Sequence, residues 1–179
     1  MTPDEYLYAE ERGQIRHEFV RGQLFDMAGG TDAHNLISLN IASGLRDHLR
    51  GQSCRVFISD MKVRVATADV FYYPDVFVTC DSGDREAYFK EKPCMIVEVL
   101  SELAAGTDPR EKFRAYELLK SLEDYLLVQQ KSREVELFRR NSQDDAWTNS
   151  VYTGSEEVVF ESLNVSLTLS QIYDGLDLA

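Results

Sequence analysis

Residues 70–78 read Val70-Phe71-Tyr72-Tyr73-Pro74-Asp75-Val76-Phe77-Val78, and residues 95–100 read Met95-Ile96-Val97-Glu98-Val99-Leu100. Each is a β-branched and aromatic run of strand length with one acid in its interior. A carboxylate in a buried or half-buried strand costs on the order of several kcal/mol to desolvate when it has no partner. A basic side chain, a set of hydrogen-bond donors, or a divalent cation held by both acids would offset that cost. The two runs therefore predict a sheet-based fold and hint at a metal site.

Towards the N-terminus, residues 55–65 look like one further strand in which Lys62 and Arg64 alternate with Val63 and Val65. Ahead of it, Asp32 is placed to cap a helix from about Ala33 to Arg50, with His34, Ile37, Ile41, Leu45 and His48 on one stripe and Gly51 as the stop. Glu18-Phe19-Val20 and Gln23-Leu24-Phe25-Asp26-Met27 flank Arg21-Gly22, a hairpin signal that puts Glu18 at the start of a strand. Thr2-Pro3-Asp4-Glu5 combines a cap, a first-turn proline and a reciprocating acid, and predicts a short helix to about Arg12.

Towards the C-terminus, Asp81 to Lys92 is charged and turn-rich and reads as a surface loop edging a cleft, anchored by Tyr88-Phe89. Asp108-Pro109-Arg110-Glu111 repeats the cap, proline and acid, and predicts a helix to about Leu119. Strands are expected over Tyr125 to Gln129, Glu134 to Arg139, Trp147 to Tyr152 and Leu163 to Leu169, before a short helix near Gln171-Ile172-Tyr173. With 179 residues and no repeat or linker, the chain reads as a single domain, 1–179, of α/β (α+β) class with helices flanking a mixed sheet.

A composition of 44% apolar and 28% charged residues is that of an ordinary globular protein, and no apolar run approaches the roughly 20 residues of a membrane span. The acidic first turn lacks a secretory pattern, so cytoplasmic residence is the expectation. Cys54, Cys80 and Cys94 show no C-x-x-C spacing and read as small buried side chains in a reducing compartment, with neither a zinc site nor a disulfide framework. The 31 acids against 19 Lys and Arg give a net charge of −12, opposite to the basic surface of a nonspecific nucleic-acid binder. A polynucleotide would need a local basic groove or a metal bridging to its phosphate. Lys62 with Arg64, Arg110 with Lys112 and Arg114, and Arg139 with Arg140 are the basic candidates.

The order of parts is specific: a hairpin with an acid, a helix, a strand ending in Pro-Asp, a strand with a central Glu, then a helix. Its motifs are His17-Glu18-Phe19-Val20-Arg21-Gly22-Gln23, His34-Asn35, Tyr73-Pro74-Asp75, Ile96 through Ser101, and Asp108 through Lys112 to Tyr116. On these, and over nearly its whole length, the chain resembles the Uma2-type (DUF820) branch of the PD-(D/E)XK nuclease superfamily. The resemblance implies a restriction-endonuclease-like core and a Mg²⁺- or Mn²⁺-dependent endonuclease of nucleic acid, with DNA favoured over RNA. It also implies that Asp75 and Glu98 hold the metal, that the Val99 carbonyl adds a ligand, and that Glu18 matches the family's acid ahead of the hairpin turn. A homodimer would suit cleavage of both strands of a duplex.

Two residues after Glu98, where the superfamily has lysine, the chain has Leu100. Lys112, on the next helix and on one stripe with Tyr116 and Leu119, is the expected replacement, and Lys62 is the runner-up. His34, Lys62 and Tyr116 are candidates for touching phosphate or steadying a metal ligand, and a core or capping role is equally open to His34. Glu102-Leu103-Ala104 also departs from the family's Pro-Ser stretch. The missing lysine and the net charge keep two alternatives: an inactive nuclease-fold binding or assembly module, and a structural dimer without metal in which Asp75 and Glu98 pair with Arg or Lys.

Overall fold

The computed structural model describes residues 1–27, 29–101 and 108–178. Helix α1 (Pro3–Arg12) leads to β1 (His17–Val20), β2 (Gln23–Asp26) and helix α2 (Asp32–His48). Six strands follow: β3 (Arg55–Ile58), β4 (Lys62–Val65), β5 (Val70–Tyr72), β6 (Val76–Thr79), β7 (Phe89–Lys90) and β8 (Met95–Leu100). After α3 (Pro109–Tyr116) come β9 (Asp124–Gln129), β10 (Glu134–Arg140), β11 (Trp147–Thr153), β12 (Glu157–Phe160), β13 (Val165–Thr168) and α4 (Leu169–Ile172).

The start of α1 forms the capping box its sequence predicts, with Thr2 and Glu5 satisfying each other's backbone N–H. Helix α2 is capped by Thr31, whose hydroxyl accepts the His34 N–H, and not by Asp32. Its buried stripe runs through Ile37, Ile41 and Leu45 to Leu49, while His48 is exposed. Each fully buried aliphatic side chain contributes about 1.5–3 kcal/mol to docking the helix. Helix α3 starts under the Asp108 cap and stops at Tyr116, short of Leu119. Beyond it, Leu118 and Leu119 bond to the carbonyls of Ala115 and Tyr116, a tighter turn than an α-helix makes.

Pro74 has no N–H to give a ladder, and the run it interrupts is divided between two sheets. Strand β5 lies in a five-stranded sheet of order β2-β1-β5-β4-β7, and β6 in a six-stranded sheet of order β11-β10-β9-β8-β6-β3. Asp75 thus sits at the corner between sheets and not inside a strand. The expected strand over 55–65 is divided in the same way, β3 in the large sheet and β4 in the small one, across a turn where Ser59 takes φ 36°. A two-stranded sheet, β12 with β13, completes the β structure; β12 was not expected, and the strand predicted over Leu163 to Leu169 starts at Val165, after a short 3₁₀ turn at 161–163. In the loop after β6, Phe89 is the buried anchor in β7 and Tyr88 is exposed.

Side chains alternate across β8, so Met95, Val97 and Val99 pack towards α2 and the β12–β13 pair, while Ile96 and Leu100 pack towards α3. Glu98 shares the α3 side. A smaller aromatic cluster of Tyr6, Phe19, Phe71 and Phe89 fixes α1 to the small sheet.

The cysteine expectation is corrected. Arg55 pairs with Thr79 in the β3–β6 ladder, which brings the residues just outside it together, and Cys54 and Cys80 are joined in a disulfide. Cys94 is free, and its Sγ lies 3.7 Å from that of Cys80. The Glu102-Leu103-Ala104 departure lies outside the described residues. Among the described residues no helix is long and apolar enough to cross a membrane.

Candidate active site

The corner that Pro74 creates places Asp75 where three segments meet. One carboxylate oxygen, Oδ2, accepts the Val99 N–H at 2.7 Å, and Oδ1 lies 3.1 Å from His34 Nε2. The Asp75 carbonyl accepts the Ser59 N–H at 3.1 Å, which ties the corner to the β3 turn. His34 reaches Asp75 from the first turn of α2, and a Cβ at Gly30 would stand 2.9 Å from its Nδ1, so a residue without one is needed beside the ring. Beyond the end of β6, Val99 has no strand partner on that side and Asp75 takes the place of one. In a strand the N–H and C=O of one residue point the same way, so the Val99 carbonyl also faces the Asp75 side.

The other acids enter from the α3 side. Lys112 and Tyr116 are one helical turn apart and project together onto β8. The Lys112 Nζ is 2.6 Å from Glu18 Oε1 and 3.6 Å from Glu98 Oε1, and the Tyr116 hydroxyl donates to Glu98 Oε1 at 3.2 Å. Glu18, on β1, also accepts the Tyr73 N–H at 3.3 Å. Glu18, Glu98 and Lys112 are all buried, at 3%, 5% and 8% exposure, so their charges act on one another with little solvent screening. The cleft they line measures about 290 Å³, and Asp26, His34, Asn35, Asp75, Val99 and Ser101 complete its walls and rim.

Burial pushes the Glu98 carboxyl up to about 8; Lys112 pulls it down, and the charges of Asp75 and Glu18 push it further up. Burial draws Lys112 down, yet Glu98 and Glu18 together hold it above its ordinary value. The hydrogen bond to Asp75 raises His34. Burial raises Tyr116 well above the usual phenol range, so it remains a donor.

Of the residues predicted from sequence, Glu18, His34, Asp75, Glu98, Val99 and Lys112 line this one cleft, and Tyr116 stands behind Glu98. Lys62 does not line it. Its ammonium lies over the Tyr73 ring, 5.1 Å from the centroid, and of the two candidate lysines only Lys112 lines the cleft. Sequence reasoning also missed Thr31 and Gln130. The Thr31 hydroxyl donates to Gln130 at 2.7 Å and Gln130 donates to the Leu100 carbonyl at 2.7 Å, which fixes the start of α2 against the end of β8.

Among the described residues no three His, Cys, Asp or Glu side chains form a metal-binding group. Two carboxylates and a strand carbonyl form a smaller donor set, all oxygen, of the kind that serves Mg²⁺, which keeps several waters and takes one or two carboxylates. The charge of Asp75 pushes Glu98 towards its neutral form, and a cation between them would remove that penalty. The residues therefore fit a hard divalent ion.

A family model described as "Uma2: Putative restriction endonuclease" matches residues 3–171. Two proteins of Synechocystis sp., both described as uncharacterized, are similar over most of their length. One, slr1290, is 37% identical over 177 residues, covering 98% of this chain and 93% of that protein. The other, sll1609, is 30% identical over 169 residues, covering 92% and 95%. The fold matches a crystal structure from Anabaena variabilis, titled a "putative nuclease belonging to DUF820", with TM-score 0.74 and 97% of each chain covered at 16% identity.

Proposed function

Since the chain belongs to the Uma2 family and has the fold of a DUF820 protein, we propose that it is a Mg²⁺- or Mn²⁺-dependent endonuclease that hydrolyses phosphodiester bonds, with DNA as the favoured substrate. The observation that carries this reading is the convergence of Asp75, Glu98 and Lys112 on one cleft from three different elements. Asp75, Glu98 and the Val99 carbonyl would hold the cation, which supplies a Lewis acid for the scissile phosphate and lowers the pKa of bound water.

The chain's own residues do the rest. Lys112 supplies the positive charge that the superfamily carries two residues after its Glu, and it does so from α3 because Leu100 occupies that place. Shared between Glu18 and Glu98, its ammonium keeps its proton and can hold a phosphate oxygen or orient the attacking water. Glu18 holds Lys112 in place through the 2.6 Å contact. Tyr116 fixes the Glu98 carboxylate, and His34 fixes Asp75. The first turn of α2, with Asn35 exposed at the rim, turns the positive end of a helix dipole towards the cleft, where a phosphate is stabilised. Because the cleft itself holds more acids than bases, the bound cation, and not a basic groove, would have to bridge to the phosphate.

The same ion contacts give one other reading its support. Glu98 and Glu18 are already paired with a lysine, as a structural protein without metal would have them. Incubating plasmid DNA, single-stranded DNA and RNA with the protein in Mn²⁺, in Mg²⁺ and in chelator separates the two. Nicking or linearisation that chelator abolishes is expected; no cleavage of any substrate with either metal favours the metal-free reading.

A further inference from the structure

Behind the cleft lies another buried acid, which the chemistry above does not use. Glu10, on α1, is 2% exposed. Its Oε1 accepts the His17 N–H and the Tyr73 hydroxyl, both at 2.9 Å, and its Oε2 lies 3.1 Å from His17 Nδ1. Tyr73 is thus held at both ends: its hydroxyl by Glu10 and its N–H by Glu18. Two residues on is Asp75. Between β5 and β6 neither sheet ladder fixes Tyr73-Pro74-Asp75; the Ser59 N–H holds the Asp75 end of the corner, and the anchors on Tyr73 hold the end that faces Glu18.

Docking of α1 does not need a carboxylate at this position. Tyr6, one turn earlier on the same stripe, already stacks on Phe19 at 5.2 Å and is fully buried. An apolar residue at position 10 would avoid desolvating an ion, and replacing buried ions with apolar groups is often neutral or stabilising. What a carboxylate adds is direction: two oxygens that fix the Tyr73 hydroxyl and the His17 ring at defined places.

We propose that Glu10 is a positioning residue, which through the Tyr73 hydroxyl holds the corner that sets Asp75 and Glu18 around the cleft. This rests on the proposed role of Asp75 and Glu98 as cation ligands. Groups that orient metal ligands typically alter metal affinity 10–100-fold when removed.

The test is calorimetric titration of Mn²⁺ into wild type, Glu10→Leu, Tyr73→Phe and the double variant, with thermal unfolding of each. Tyr73→Phe keeps the ring and removes only the hydroxyl, so it decides the matter even if Glu10→Leu folds poorly. The expected result is about a tenfold weaker Mn²⁺ Kd in each single variant, and no further loss in the double, because both remove the same contact. Variants that melt earlier yet bind Mn²⁺ within about twofold of wild type would overturn the inference and leave Glu10 a structural residue. Wild type that takes up no Mn²⁺ would overturn the cation reading itself, and this inference with it.

Discussion

Lys112 Nζ stands 2.6 Å from Glu18 Oε1, so one ion pair joins the first strand to the third helix across the floor of the cleft. Glu98 is 3.6 Å from the same ammonium. A single buried cation therefore offsets two buried acids, and the site's stability and its chemistry depend on the same side chain.

Replacing Lys112 with Met should be severely destabilising, because it leaves Glu18 buried without its counter-charge. Breaking one partner out of a buried pair costs about 3–5 kcal/mol. For a chain of this size, 1 kcal/mol shifts Tm by about 2–4 °C, so thermal unfolding should show a fall of roughly 6–20 °C. A change of only a degree or two would mean that water already solvates the acids.

The pH dependence follows from Glu98. Burial raises its folded value from 4.5 to about 8, so the native state binds the extra proton. That contribution is fully present below pH 4.5 and is lost as pH rises through about 8. Metal-free wild type should therefore lose stability relative to Glu98→Gln between about pH 5 and 8, in denaturant titrations at several pH values. Cation binding must displace the same proton, so the Mn²⁺ affinity of wild type should rise by up to about tenfold per pH unit over that range.

His34 follows the same sign, through a hydrogen bond and not through burial. Its hydrogen bond to Asp75 raises its folded pKa, so the charged pair adds stability below the ordinary histidine value and fades as pH rises through the raised one. His34→Ala should cost about 1–3 kcal/mol at pH 5.5, where a charged hydrogen bond is lost, and less at pH 8.5. Equal losses at both would show that the ring acts by packing alone.

The Cys54–Cys80 disulfide closes the β3–β6 pair at the end away from Asp75. Bridging residues 26 apart stabilises by about 3–4 kcal/mol in the chain-entropy account. Unfolding with and without a dithiol reductant should differ by that order, and a variant with Cys54→Ser and Cys94→Ser, which leaves Cys80 no neighbouring thiol, should be insensitive to reductant. If wild type melts identically in both, the two cysteines are unlinked in the purified protein.

Much of this was legible in the sequence where signals are local. The Thr2 and Asp108 caps, the Arg21-Gly22 hairpin and the strand run of β8 needed only near neighbours. Where residues meet through topology, the chain was silent. Pro74 marked an interruption, but nothing local said that the two halves join different sheets. The Cys54–Cys80 link depends on the register of β3 against β6. Glu10 reads as a solvated helix residue unless its spacing of four from Tyr6 is noticed, which puts it on the buried stripe. Strand β12 alternates Val158 and Phe160 inwards, a pattern present in the sequence that the neighbouring acids obscured.

The most direct test of the central claim is cleavage of supercoiled plasmid in Mn²⁺ by wild type, Asp75→Asn and Glu98→Gln, each first shown to be folded. Asp75 and Glu98 as cation ligands predict that wild type cuts and that both variants lose activity by about 10²-fold or more. Cleavage by either variant at the wild-type rate would contradict the account, because a nuclease indifferent to these acids must place its chemistry elsewhere.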